Sequence, residues 1–122
     1  MTLGIAAITF DCTDALAVAR FWSAALDRPI DEGQPAPSPF FASIGRDGDP
    51  EGRPAMLFIA VPEGKETKNR VHLDLAASDR AAEVDRLLEL GATRLHDKDE
   101  WGMSWTTLAD PEGNELCVAQ HA

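Results

Sequence analysis

The sequence predicts an α+β fold built from two copies of one module, and three observations lead there. The first is a repeat. Ala7-Ile8-Thr9-Phe10-Asp11-Cys12-Thr13-Asp14 and, 65 positions further on, His72-Leu73-Asp74-Leu75-Ala76-Ala77-Ser78-Asp79 both read as a strand that ends in a helix-capping pair. The second is the pattern after each copy: apolar residues at helical spacing, then short apolar runs divided by Gly- and Pro-rich turns. The third is size. A chain of 122 residues, 44% of them hydrophobic, suits one globular core. We therefore expect a single domain over residues 1–122, with module one at about 1–62 and module two at about 69–122.

Residues 3–12 are apolar and β-branched enough for the first strand. Thr13 or Asp14 then caps a helix by accepting hydrogen bonds from its free N–H groups. Ala15, Val18, Ala19, Trp22, Ala25 and Leu26 recur at helical spacing and form one apolar stripe. Pro29 stops it. Residues 34–39, with Pro35, Pro37 and Pro39, cannot continue a helix or pair as a central strand, so they form a loop. A short strand at 40–44, a Gly- and Asp-rich turn at 46–52 and a buried strand at 55–61 complete the first module. A polar linker comes next at 62–69. The second module repeats the order: a strand at 71–76, a cap at Ser78 or Asp79, and a helix with Ala77, Ala81, Val84, Leu87 and Leu88 on its apolar side. Gly91 stands where a left-handed residue ends such a helix. Strands are expected at 93–95, 103–109 and 115–119, with Asp110-Pro111-Glu112-Gly113-Asn114 as a tight turn.

The charge excludes several partners. With 21 acidic and 11 basic residues the net charge is −10. Such a surface repels phosphate backbones and anionic lipid, so neither nucleic acid nor membrane is expected, and solubility is its plain role. No apolar run is long enough to span a bilayer, and no basic segment precedes an apolar one at the start, so no secretion leader is read. Cys12 and Cys117 make no disulfide framework, which points to a reducing cytoplasm.

Side chains alternate along strands. Val71, Leu73, Leu75, Leu116 and Val118 should lie under the second helix, with His72, Asp74, Ala76, Glu115, Cys117 and Ala119 facing away. In the first strand Ile8, Phe10 and Cys12 take the helix side, and Ala7, Thr9 and Asp11 the other. The helix-free side thus collects Thr9, Asp11, His72, Asp74, Glu115 and Cys117. On a plain surface these are solvated groups; in a cleft they are ligand contacts. The two cysteines fall on opposite faces and should not pair. Trp105 faces either core or cavity, and Trp101 stands just before its strand. Rings in a cavity stack on planar ligands, with simple packing as the equal alternative. Trp22 belongs to the core, and Phe40 or Phe41 is placed to close a pocket mouth.

The repeated strand-cap-helix units, their order and the turn at Asp110-Pro111-Glu112-Gly113-Asn114 resemble the vicinal oxygen chelate superfamily. Within it they resemble the glyoxalase-like and bleomycin-resistance-like domains. Asn69-Arg70-Val71-His72-Leu73-Asp74-Leu75 and the run from Trp101-Gly102-Met103-Ser104-Trp105 to Cys117 are similar to a glyoxalase-like subgroup. The resemblance covers almost the whole chain. It implies paired βαβββ modules whose curved sheets enclose a cavity, and a homodimer. In metal-dependent members it also implies one ligand on the first and one on the last strand of each module, here Ala7, Ile59, His72 and Cys117.

Ala7 and Ile59 have no donor atom, whereas a catalytic zinc generally takes three protein ligands. Glu115 and Asp74 share the face but are displaced by two residues, roughly 6 to 7 Å along a strand. No cofactor is therefore expected; a divalent metal is the disfavoured alternative, with His72 and Glu115 as its candidates. The catalytic candidates are His72, Cys117 and Glu115. An imidazolium beside a thiol lowers the thiol's pKa, which would make Cys117 nucleophilic; a hydrogen-bonded sheet histidine is the plainer reading.

The leading expectation is a protein that binds a small organic molecule between its sheets, for resistance or sequestration. Thr9, Asp11, His72, Asp74, Trp105 and Cys117 are the expected ligand contacts. The alternatives are a metal-dependent lyase or dioxygenase of the glyoxalase-like type, and a dimerising domain without ligand. The residues leave catalysis open.

Overall fold

A computed structural model describes residues 2–121, and the outermost positions of the expected domain, Met1 and Ala122, lie outside the described residues. The chain divides into two compact units, the first ending at Gly64 and the second beginning at Lys65.

The first unit holds β1 (Ala7–Cys12), α1 (Ala15–Leu26), β2 (Phe41–Ile44) and β3 (Ala55–Ala60). Its sheet has the order β1-β3-β2, with β1 parallel and β2 antiparallel to β3. β1 starts at Ala7 rather than residue 3 because β3 supplies partners only from Ala55 onward, opposite Ala7; Leu3 and Ile5 stay exposed. Asp14, not Thr13, caps α1, its carboxylate accepting from the Ala17 N–H at 3.1 Å. The helix stops at Asp27, in the left-handed conformation (φ 52°), before Pro29 is reached. Ala15, Val18, Ala19, Phe21 and Trp22 are buried, and Trp22 and Phe58 each pack on Phe10 with ring centroids 5.2 and 5.3 Å away. The fourth strand of a βαβββ module shrinks to one bridge, Ile30 to Ile44, because the proline-rich stretch after it cannot donate to a ladder.

The second unit holds β4 (Leu73–Ala77), α2 (Arg80–Glu89), β5 (Thr93–Glu100), β6 (Met103–Ala109) and β7 (Glu115–Gln120). This is a complete βαβββ module in the order β4-β7-β6-β5, with β4 parallel to β7 and the other pairs antiparallel. Asp79 caps α2 through the Ala82 N–H at 3.1 Å. Val84 and Leu87 are buried with Leu108, Leu116 and Val118. Val71 is not under the helix: it precedes β4 and is 77% exposed. β5 runs to Glu100 instead of ending near residue 95. As the edge strand it is exposed throughout, so its polar sequence carries no burial alternation to read. Trp101 and Gly102 join β5 to β6 in a two-residue turn with φ of 53° and 71°, the positive values such a hairpin requires. At the other end of β6 the buried Asp110 carboxylate accepts the N–H groups of Glu112 and Asn114, both at 2.9 Å, and so closes the turn into β7.

The two units thus share one topology, and the fold is the expected α+β architecture, with two helices and seven strands in two mixed sheets among the described residues.

Candidate functional site

The second sheet brings its polar residues to one face by register. Parallel pairing sets Asp74 opposite Cys117, and antiparallel pairing sets Thr107 opposite Cys117. Neighbours directly opposite share a face. The other face belongs to α2. There Thr106, opposite Val118, donates to Asp97 at 2.7 Å, and Arg80 of α2 helps, after Thr106 and Arg94, to hold the Asp97 carboxyl below the usual range.

On the helix-free face the His72 Nε2 lies 3.4 Å from Asp74 Oδ1. One donor atom each from His72, Asp74 and Cys117 falls within 4.8 Å of the others, and among the described residues this is the one such group of His, Cys, Asp or Glu side chains. His72 and Asp74 are exposed; Cys117 is only 6% exposed. The displacement of Asp74 along the strand holds for the backbone, but the side chains lean together and cancel it. Thr107, which alternation and spacing do not single out, sits with its Oγ1 3.3 Å from the Cys117 Sγ. The signal that finds Thr107 is cross-strand register, which depends on the length of the turn at residues 110–114.

The electrostatics run against the nucleophile reading. Burial pushes the Cys117 thiol up, the Thr107 hydroxyl works the other way, and the hydrogen-bonded, negatively charged Asp74 pushes it up further. Burial and the Asp74 carboxylate together outweigh the Thr107 hydroxyl, so the thiol is held protonated at neutral pH.

Glu115 shares this face but is committed elsewhere. Its carboxylate accepts from the Asn69 N–H at 3.1 Å and the Lys65 ammonium at 3.0 Å, and thereby staples the linker to the start of β7. Burial alone would raise this carboxyl; the hydrogen bonds from Asn69, Lys65 and its own backbone N–H, with the Lys65 charge, together outweigh it and hold it below the usual range. Trp105, opposite Ala119 and two residues from Thr107, is half-buried on the helix-free face. Its ring stacks with Trp101 at 6.3 Å and 19°, and Trp101 is 85% exposed.

In the first unit Thr9 and Asp11 stand exposed on β1, with Ile59 opposite Asp11. Phe40 is exposed, and Phe41 lies under the Arg46 guanidinium, 5.6 Å from its ring. The internal repeat allows a direct comparison. Aligned on their helix caps, Ala7 matches His72 and Thr9 matches Asp74. Thr9 pairs with Leu57, and Leu57 with Ser43, so these stand where Cys117 and Thr107 stand in the second unit. The position equivalent to Cys117 is therefore Leu57, not Ile59. The first unit thus offers alanine, threonine and leucine where the second offers histidine, aspartate and cysteine. Cys12 and Cys117 are both buried and neither forms a disulfide.

Solved structures show the same fold. A glyoxalase-related enzyme from Fulvimarina pelagi superimposes with a TM-score of 0.72 at 16% identity, over 98% of this chain and 89% of that one. A glyoxalase/bleomycin resistance/dioxygenase family enzyme from Burkholderia phytofirmans PsJN gives 0.69 at 18%, over 97% and 98%. A bleomycin-binding protein from bleomycin-producing Streptomyces verticillus, solved with copper(II)-bleomycin, gives 0.60 at 13%, over 100% and 99%. No curated protein sequence matches the chain. The fold is that of the glyoxalase/bleomycin resistance/dioxygenase, or vicinal oxygen chelate, superfamily. Within it the chain belongs to the glyoxalase-like domain family, whose model matches residues 7–119.

Proposed function

We propose that this protein binds a small organic molecule against the helix-free face of the β4-β7-β6-β5 sheet, in a sequestering or resistance role. The stacked Trp101–Trp105 pair carries this reading. An exposed indole held in a left-handed backbone conformation costs stability, and such strain is found where function demands it. The rings offer a flat apolar platform for a planar group, worth about 0.5–1.5 kcal/mol beyond burial. On the same sheet face, His72, Asp74 and Thr107 supply hydrogen-bonding atoms for a polar edge. With a carboxylate there and a net charge of −10, neutral or cationic compounds are favoured over anions. The bleomycin-binding neighbour from Streptomyces verticillus supports the same class of ligand.

The experiment is a fluorescence and melting titration with copper(II)-bleomycin and a panel of planar aromatic antibiotics. A true ligand quenches tryptophan emission saturably and raises Tm, by about 2.7 kcal/mol of added stability at a hundredfold excess over Kd. Trp105→Leu should abolish both effects. A panel in which no compound moves either signal overturns the reading.

The second reading is a metal-dependent lyase or dioxygenase of the glyoxalase-like type, and the convergence of His72, Asp74 and Cys117 favours it. No helix among the described residues is long and apolar enough to cross a membrane. We place the protein in a reducing cytoplasm, as a homodimer, on the strength of two cysteines that form no disulfide and of its family.

A further inference from the structure

We propose that His96 is a ligand-contacting residue that selects a planar polycyclic compound with a hydrogen-bonding group at each end. The inference rests on the organic-ligand reading above and gives that ligand its shape.

A break in the β5 ladder turns His96 toward the site. Arg94 stands opposite Leu108, on the helix side, and an unbroken ladder would set Leu95 opposite Thr107 and His96 opposite Thr106. The register instead shifts between Arg94 and His96. Leu95 is left unpaired, and His96 comes to stand opposite Thr107, on the helix-free face. The shift decides every residue that follows. His96, Lys98 and Glu100 take the face of Trp105, while Asp97 and Asp99 take the other and accept from Thr106 and Ser104. The bulge leaves an apolar Leu95 47% exposed. Bulges of this kind recur beside functional sites, where they re-aim a side chain.

The imidazole is also uncommitted. Arg94 forms an ion pair with Asp97 and Lys98 with Glu100, and Asp99 bonds to Ser104. The exposed His96 side chain has no hydrogen-bond or ion-pair partner among the described residues. Its ring nitrogens, which donate or accept, are open to a ligand.

Register makes His96 one end of a row. His96, Thr107, Cys117 and Asp74 stand opposite one another on four successive strands. Three strand spacings put about 14 Å between the ends. The middle is small and closed: Thr107 and Cys117 are each 6% exposed, with Oγ1 and Sγ 3.3 Å apart. The exposed groups are at the ends, His96 on one side and Asp74 with His72 on the other. Trp105 stands in the neighbouring row, about 7 Å along β6 from Thr107. In that row β7 and β4 add only Ala119 and Ala76, whose methyl groups leave room beside the ring. A flat molecule resting against Trp105 therefore lies along the polar row, and three linearly fused rings suit its length. The Asp74 carboxylate accepts, so the ligand group at that end is a donor; His96 takes a donor or an acceptor at the other.

The test uses two dyes. 2,6-Diaminoanthraquinone carries an N–H donor at each end of its fused rings, and 2-aminoanthraquinone carries one at a single end. Each is titrated into full-length protein and followed by quenching of tryptophan emission. The wild type should bind the diamine roughly 3- to 10-fold more tightly than the monoamine, the worth of one more hydrogen bond. His96→Ala should remove that preference by weakening the diamine alone, and His96→Phe, which keeps a ring without nitrogen, should do the same. Asp99→Asn, on the opposite face of β5, should keep it. Circular dichroism and Tm confirm that each variant is folded. Equal affinity of the wild type for the two amines overturns the proposal, as does a preference that survives both His96 substitutions. Failure of both amines to bind overturns it too. If copper(II)-bleomycin or another planar antibiotic still quenches in that case, the organic-ligand reading stands and only its two-ended form falls.

Discussion

Trp101 occupies a position that a smaller residue would fill at lower cost. The first residue of its two-residue turn needs positive φ, which asparagine or glycine adopts readily and tryptophan does not. Trp101→Asn should therefore stabilise the protein by about 1 kcal/mol, read by urea unfolding, while weakening any ligand that stacks on the Trp101–Trp105 pair. Loss of stability in that variant would mean the ring contributes more through packing than its backbone costs. Cys117 gives a second check. Because burial and Asp74 push its thiol up, a thiol reagent should label it slowly at neutral pH in a Cys12→Ser background, and the rate should go on climbing with pH past the range of a free cysteine. His72→Ala should leave that rate unchanged; a rate abolished by it would restore the imidazole-activated thiol. At this scale the sequence shows which face a strand residue takes but not where its side chain leans. Thr9, Asp11, Asp74 and Cys117 are assigned to their faces by alternation alone. That Asp74 turns toward both His72 and Cys117, and Glu115 toward Lys65 and Asn69, depends on tertiary partners that no spacing reveals.

Each helix begins on an aspartate that accepts from the N–H three residues on, Asp14 from Ala17 and Asp79 from Ala82. Replacing either with alanine leaves that donor unpaired and should cost about 1 kcal/mol, measured by chemical denaturation. A cost near zero would show that water serves as well. The caps, both helices and the turn at residues 110–114 were legible because each rests on local chemistry: a short acceptor, a 3.6-residue period, a proline and glycine two residues apart; the turn at Trp101 and Gly102 was not, since the strand before it carries no burial pattern. The edges of the sheets were less so. β5 buries nothing, so charges such as Arg94, Asp97, Lys98 and Glu100 hide it, and they also guard an exposed edge against pairing with another chain. In the first unit the matching strand survives only as Ile30 against Ile44. The internal repeat implies two alike modules, yet its offset of 65 residues, taken at the caps, does not carry to the last strand. That is why Leu57, and not Ile59, matches Cys117.

Across the molecule, several carboxylates hold the loops and strands in place. Asp49 gathers Arg53, through side chain and backbone, together with Glu51 and Arg28, and its pKa is strongly lowered, foremost by the Arg53 side chain. Asp31 is lowered despite its burial by Arg46, Ser43 and Gly45, and Asp97 and Glu115 are lowered as well. A carboxylate whose folded pKa lies below its unfolded value adds stability that is fully present above the unfolded value. That stability drains away as pH falls through the folded one. With ordinary values of 3.8 for Asp and 4.5 for Glu, these groups should contribute fully at pH 6 and lose their contribution progressively below about pH 4.5. Asp49→Asn should lower Tm at pH 6 and flatten the acid limb of the Tm curve; an unchanged limb would remove Asp49 from this role.

The division of labour between the repeats is what matters most: one topology used twice, with donors and aromatic platform gathered on the second sheet. Amide chemical-shift mapping with the first compound to quench the tryptophans addresses it directly. Shifts concentrated in residues 72–76, 101–107 and 115–119 are expected. Shifts confined to residues 2–64 would contradict the assignment.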